Sequence, residues 1–354
     1  MDLAVLVVNA GSTSLKLHLV DRAEMAKPVG SLAEAAPARV EVVAHRVVHG
    51  GARFREPVVV DASVRERLFE LEPLAPLHNA PALAAIVEAE QVFPLVPQIA
   101  VFDTAFHATI PDEAAVYAIP SRWRDWGVRR YGFHGLSVAW SAERAPHLLE
   151  RPTDGLRLVV CHLGGGSSIT AVRDSRSVDT TMGFSPLEGV PMTTRSGSID
   201  PGALLYLLHE RNVSTSTLDH ALNFDSGLAA LSRSSGDMRE IETAARRGET
   251  AAALAVDVFV HRVAGAVAAM AAAAGGLDAL VFTAGIGEGS ALVRERVGAR
   301  LGFIGVKLDA ARNRSAVLDC DVAMDDAEVR VLVIRAREEL VAARAARTLL
   351  AKSS

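Results

Sequence analysis

The feature that most restricts how this chain can fold is an internal echo. When "LVVNAGSTSLKLHLVD" is laid beside "VVCHLGGGSSITAVRD" with Ser14 over Ser168, Gly11 falls on Gly165, Thr13 on Ser167 and Leu15 on Ile169. Each copy reads as an apolar strand, a Gly/Ser turn and a second, alternating strand. Two such hairpins far apart in the chain predict a duplicated fold whose similar turns face one cleft; chance likeness between hairpins is the competing explanation. At 354 residues there is length for two domains. Strand-like runs alternate with helix-like ones throughout, as in "QIAVFDTAF", "ALVFTAGIGEG", "ALVRERVGARLGF" and "VRVLVIRA", which is an α/β pattern. The prolines Pro73, Pro76, Pro81, Pro94 and Pro97 read as loops or strand approaches.

Composition narrows the class. The formal net charge of −5 argues against a dedicated nucleic-acid binder. Two cysteines, Cys161 and Cys320, form no disulfide framework and suit a reducing compartment. The N-terminus runs into a strand without a basic, cleavable leader. The most apolar long segment, 251–274, is interrupted by Asp257, His261 and Arg262, so an Ala-rich helix in a core or between subunits is expected rather than a membrane span. These features predict a cytoplasmic protein with neither nucleic acid nor membrane as partner.

Three turns have the character of phosphate cradles. "NAGSTS", followed by Lys16, and "GGGSS" (164–168) combine small residues with hydroxyl donors, and "FTAGIGEGS" (282–290) lies between a strand and a helix. A hairpin or helix-start turn is the plain explanation of any one; three in one α/β chain point to phosphate. No G-x-x-x-x-G-K-[ST] is present, which excludes a P-loop. A NAD-dependent oxidoreductase built on "GIGEGS" is an alternative, although Ser290 stands where the dinucleotide fingerprint wants Gly or Ala. Charged residues in apolar settings complete the set: Arg46 in "AHRVVHGG", Asp103 in "VFDTAFH", His134 in "RRYGFHG" and Arg195 in "MTTRSGSIDPG". A buried structural ion pair between one arginine and Asp103 is the alternative to a catalytic set. His45 and His49 have H-x-x-x-H spacing but lack the Glu of a zinc helix.

"NAGSTSLK", "HRVVHGG", "LAPLHNAP", "VFDTAFHATIP", "RRYGFHG", "HLGGGSS", "SVDTTMGFSPLEGVPMTTRSGSIDPG", "SGDMREIE" and "FTAGIGEGSALVRE" together resemble the acetate kinases, in order and spacing, over nearly the whole chain. The resemblance implies an α/β fold of two duplicated ribonuclease H-like (actin-like) domains, with the nucleotide between them. It implies residues 1–104 plus 339–354 as the acceptor-side domain and 105–338 as the nucleotide-binding, dimer-forming domain. The implied activity is reversible transfer of the ATP γ-phosphoryl group to acetate by direct in-line displacement, with Mg2+ (or Mn2+), in a homodimer. Propionate as acceptor, or a non-catalytic actin-like ATP-binding protein, are the alternatives.

Carried over by matching motif, the resemblance implies Asp103, Arg46, Arg195 and His134 as catalytic residues. Arg46, Val48, Leu77, Phe133 and Pro186 would hold the acceptor. Ser12, Ser14 and Lys16 belong to the first phosphate loop. His162, Leu163, Gly164, Gly165 and Gly166, then Asp237, Met238 and Arg239, then Gly285, Ile286, Gly287, Glu288 and Gly289 are the nucleotide loops. Asn9 and Glu338 are the metal-site residues. The chain departs from the family's usual pattern where "HLGGG" stands for "HLGNG", "AGIGEG" for "GGIGEN" and "AREE" for "TNEE". Gly165, Ala284, Gly289 and Arg337 are the residues so changed, and the segment before "HRVVHGG" is shorter than usual.

Overall fold

The computed structural model describes residues 3–11, 15–72 and 76–353. Ser12 and Ser14 lie outside the described residues, as does the side chain of Leu77. The chain divides into two compact units: Met1–Ala108 with Ile119–Trp140 and Arg337–Ser354, and Thr109–Ala118 with Ser141–Ala336.

The first unit is a six-stranded sheet of β1 (Ala4–Ala10), β2 (Leu15–Val20), β3 (Ala26–Val29), β4 (Val40–Val47), β5 (Val58–Val59) and β6 (Gln98–Phe102). Its strand order is β3-β2-β1-β4-β6-β5, with β1, β4 and β6 parallel and the hairpin strands antiparallel. Parallel strands need cover on both faces, and their near-continuous Val, Ile and Ala runs supply it. Because side chains alternate, Val5, Val7, Val42, Ala44, Ile99 and Val101 meet the C-terminal helix Glu338–Ser353 through Leu340, Ala343 and Ala346. On the other face Leu6, Val8 and Val43 meet Ala85 and Ala89 of the helix Pro76–Val92, and Phe93 just beyond it.

The second unit repeats that plan with β7 (Arg157–Leu163), β8 (Ser167–Arg173), β9 (Arg176–Thr180), β10 (Ala279–Thr283), β11 (Cys320–Asp321) and β12 (Arg330–Val333). Read from β9, its order is β9-β8-β7-β10-β12-β11, again a three-stranded meander followed by two parallel strands and an antiparallel edge. The duplication expected from the two hairpins is therefore present strand for strand. The register differs at the turns. Residues 11–14 separate the paired Ala10 and Leu15, whereas only Gly164–Gly166 separate Leu163 and Ser167. Counted from the turn, Ser168 stands where Lys16 does, opposite His162 as Lys16 is opposite Asn9.

The helix Thr250–Ala274 is long and apolar enough to cross a membrane by length and composition alone. Here Ala255, Phe259, Val263 and Val267 are fully buried in the core cluster with β7 and β8 residues Val159, Cys161, Ile169 and Ala171.

Two expectations differ from the structure. Residues 119–140 pack with the first unit rather than the second. Gly135 N donates to the Asp103 carbonyl at 2.9 Å, and Leu136 joins the core of Val5 and Val101. Pro76 and Pro81 are helical, not loop. Pro76 takes the first helical position, where no N–H is needed. The turn containing Pro81 is pinned by Asn79, whose side chain exchanges hydrogen bonds with the His49 backbone at 3.1 Å each way.

Candidate active site

Alternation builds the first cluster. Asn9 continues the face of Val5 and Val7, Arg46 that of Val42 and Ala44, and Asp103 that of Ile99 and Val101. All three therefore sit at the carboxyl ends of parallel strands, on the face where the C-terminal helix begins with Glu338. Asn9 is paired with Arg46 in the ladder. The Arg46 guanidinium donates Nε–H to Asp103 Oδ1 at 2.9 Å, Nη2–H to Asp103 Oδ2 and Nη1–H to Asn9 Oδ1 at 2.9 Å. Glu338 Oε2 lies 3.8 Å from Arg46 Nε and 3.5 Å from Asn9 Nδ2.

Burial by itself would lower the Arg46 pKa, but the negative charges of Asp103 and Glu338 outweigh it and hold the guanidinium above its ordinary value. Burial, with the negative charge of Glu338 beside it, holds the Asp103 carboxyl above its ordinary value, while the Arg46 charge and N–H donors and a backbone N–H from His134 oppose that rise. With both oxygens engaged by the fork, Asp103 orients Arg46 and is not placed to act as a free base. Glu338 and Asn9 offer only hard oxygen donors, a set that fits magnesium, which keeps most of its shell as water and phosphate oxygen.

Around this cluster Val48 and Phe133 are buried. His134 has a left-handed backbone, φ 59°, immediately before the helix Gly135–Leu149. Lys16 is exposed across the ladder from Asn9.

In the second unit Arg195 donates Nη1–H to the Pro186 carbonyl at 2.9 Å, so two of the expected residues meet. Burial pulls the Arg195 guanidinium below its ordinary value, though an arginine stays charged at neutral pH. Its loop is held closely: Met192 N donates to Arg195 O, and Thr193 N to Gly165 O at 3.3 Å. The arginine loop is thereby tied to the glycine turn after β7.

That turn lines a cleft of ≈ 690 Å³ within the second unit. Part of its lining is small: Gly164, Gly165, Gly285, Ile286 and Gly289. Another part is acidic and hydroxylic: Ser235, Asp237, Glu240, Glu242 and Ser290, together with Arg239. Asp237 caps the helix Met238–Arg246 and pairs with the Arg239 guanidinium, which lowers its carboxyl to about 2. Small residues and unobstructed backbone suit phosphates, and carboxylates suit the hydroxyls and N–H groups of a nucleoside.

Of the expected nucleotide residues, Gly164, Gly165, Asp237, Met238, Arg239, Gly285, Ile286 and Gly289 come together in this cleft. The others lie outside its lining. Leu163 is wholly buried, Gly287 packs beneath Phe282 and Cys161, and the Glu288 carboxylate accepts from Ala284 N at 3.0 Å and Ala336 N at 2.8 Å. His162 pairs with Thr283 inside the sheet, and Gly166 closes the turn by accepting from Gly164 N. The glycine-rich stretch is itself a short helix, Ala284–Gly289, rather than an open turn; Ser290 then caps Ala291–Arg300. Sequence reasoning missed Thr193, Ser235, Gly236, Glu240, Glu242 and Ser290. Most are neighbours of quoted motifs, and Glu242 was recoverable one helical turn after Met238.

Comparisons with known proteins agree with this geometry. Residues 33–344 match the Acetokinase family. The chain is 45% identical over 352 residues to the acetate kinase of Microcystis aeruginosa, covering 97% of this chain and 88% of that protein. It is 49% identical over 300 residues to that of Nostoc punctiforme, covering 85% and 74%. Among solved structures it superposes on a propionate kinase from Francisella tularensis with a TM-score of 0.91, at 34% identity over 98% of this chain and all of that one. The acetate kinase of Porphyromonas gingivalis gives 0.90, at 32% identity over 98% and 99%. With two duplicated actin-like α/β units and a sequence matched almost end to end, the chain belongs to the acetokinase family.

Proposed function

We propose that this enzyme transfers the γ-phosphoryl group of ATP to acetate, reversibly, giving acetyl phosphate and ADP. The observation that carries the reading is the Arg46 fork, locked by Asp103 at the carboxyl edge of the first sheet. Acetate is ionised at neutral pH and is already a nucleophile, so no general base is needed. What must be overcome is repulsion between two anions, about 4 kcal/mol per pair of unit charges at 4 Å in a protein-like medium. Arg46 binds the acceptor carboxylate and Arg195 neutralises the moving phosphoryl group, with His134 donating to its oxygens; Val48, Leu77, Phe133 and Pro186 are the residues assigned to the methyl group.

The cleft of the second unit takes ATP, with the phosphates on the glycines and the ribose on Asp237. Ser12, Ser14 and Lys16 form the first phosphate loop. Asn9 and Glu338 would hold Mg2+ (or Mn2+), which supplies charge neutralisation of the phosphates when bound. The enzyme acts in the cytoplasm as a homodimer, on small molecules alone; its cysteines, both unpaired thiols, suit a reducing compartment.

Trapping the acyl phosphate with hydroxylamine, using ATP with acetate, propionate or butyrate, tests the reading. Acetate is expected to give the highest kcat/KM, with propionate within about one methylene's discrimination, roughly 1–3 kcal/mol. No hydroxamate from any of the three acids would reject it. Arg195→Ala should depress kcat far more than it raises KM for ATP; an effect on the ATP KM alone would remove Arg195 from the transition state.

A further inference from the structure

The second unit buries a charge that has no part in the proposed chemistry. Arg294, in the first turn of the helix Ala291–Arg300, is 2% exposed. Among the described residues no carboxylate pairs with it, and its guanidinium donates only to neutral oxygens. Nη1 donates to the Gly287 carbonyl at 2.9 Å and to the Glu288 carbonyl at 2.8 Å, at the end of the glycine-rich helix Ala284–Gly289. Nε donates to Asn313 Oδ1 at 2.7 Å and Nη2 to the Asn313 carbonyl at 2.8 Å. Asn313, itself wholly buried, donates from Nδ2 to the Ala291 carbonyl at 2.8 Å. Burial pulls the guanidinium below its ordinary value, and Cys320 and Glu242 offset only part of that. A cation buried without a counter-ion is costly, and an apolar side chain would fill the same space at less cost. Packing therefore does not account for Arg294.

The stretch that Arg294 grips needs holding. Ala284 has φ 65°, a left-handed backbone that a residue with a Cβ adopts only where its surroundings enforce it. The Glu288 carboxylate fixes the start of the stretch through Ala284 N, and Arg294 fixes its end. Gly285 and Ile286 lie between these two holds and Gly289 just after them, and all three line the cleft. We infer that Arg294 is a positioning residue for the nucleotide's phosphates: by binding the Gly287 and Glu288 carbonyls it keeps the glycine backbone set for them before the nucleotide arrives. The inference rests on the reading of this cleft as the ATP site. A backbone fixed in advance is not ordered at the expense of binding, which is where the affinity comes from. The task calls for an arginine, because its planar fork reaches acceptors on two separate segments at once and a lysine ammonium does not.

Calorimetric titration of the full-length protein with ADP, and separately with adenosine, both without magnesium, tests this. Wild type, Arg294→Met, Arg294→Lys and Asn313→Ala are compared. ADP binding is expected to weaken about tenfold or more in Arg294→Met. Arg294→Lys should follow it, since the charge stays and the fork is lost, and Asn313→Ala, which removes the acceptor of Nε, should weaken ADP in the same direction. Adenosine has no phosphates and should bind every variant within about twofold of wild type. Equal losses for ADP and adenosine would make Arg294 a prop of the whole cleft and overturn the inference. Wild-type affinity for ADP in Arg294→Met or in Arg294→Lys would overturn it as well. Should Arg294→Met fail to fold, Arg294→Lys and Asn313→Ala give the same readings. A wild type that binds no ADP sinks the reading of the cleft itself, whereas this inference fails with wild-type ADP binding intact.

Discussion

Arg46 and Asp103 are each tolerable in the interior only because of the other. The Asp103 side chain is 1% exposed and that of Arg46 15%, so removing one partner strands a charge, at about 3–5 kcal/mol. Arg46→Met and Asp103→Leu should each lower the urea midpoint strongly, while the double variant regains most of the loss and has no activity. A double variant no more stable than either single would mean that the pair is not coupled. Two histidines give the unit an acid limit. Burial holds His45 and His107 at about 4, below the ordinary 6.5, so both are neutral in the fold. Between pH 6.5 and 4 the unfolded chain binds more protons than the native one, and stability falls as pH drops through that window. The loss approaches about 3 kcal/mol per histidine at its lower end. His107→Gln keeps a donor toward the Phe133 carbonyl, so the difference in urea midpoint between pH 7.5 and 4.5 should shrink in that variant. An unchanged difference would place the titration elsewhere.

At the scale of elements, glycines that look alike in the sequence carry opposite constraints. A Cβ on Gly135 would lie 2.0 Å from the Asp103 carbonyl oxygen, because the helix Gly135–Leu149 starts against the end of β6. A Cβ on Gly165 would meet nothing within 4 Å. Gly135→Ala should therefore cost about 3 kcal/mol or more, seen as a fall in Tm of roughly 6–12 °C and lost activity. Gly165→Asn should leave Tm nearly unchanged and alter only nucleotide binding. Equal Tm values for the two would refute the placement of the helix start.

The same contrast marks how far the sequence could be read. The two hairpins and the α/β alternation were legible because alternation determines them, and Arg46 and Asp103 because each is a charge in an apolar run, whereas Asn9 and Glu338 came only with the resemblance to the acetate kinases. Three things were not legible. The one-residue difference in turn length displaced the alignment by eye. Residues 119–140 return to the first unit through non-local contacts of Gly135 and Leu136. Pro81 is carried in a helix by Asn79, a tertiary bond that local propensity does not register. Glu288 illustrates a related point, since it stands in a nucleotide motif while its Oε1 accepts from the backbone N–H groups of Ala284 and Ala336.

For the molecule as a whole, the proposed roles divide between the two duplicated sheets. Every residue lining the 690 Å³ cleft belongs to the second unit, whereas Asn9, Arg46, Asp103 and Glu338 all belong to the first. On the proposed roles, binding and chemistry can be damaged independently. Asp237→Ala removes the cap of Met238–Arg246 and the partner of Arg239, so the dissociation constant for ADP measured without magnesium should rise about tenfold. The conservative Arg46→Lys keeps a buried charge for Asp103 but loses the two-pronged hold on a carboxylate. It should leave that ADP constant within about twofold, while kcat/KM for acetate falls by about a hundredfold, near 3 kcal/mol of lost transition-state contact. Should Arg46→Lys weaken ADP as much as Asp237→Ala does, the acceptor fork would be holding nucleotide, and the division of labour between the two sheets would have to be redrawn.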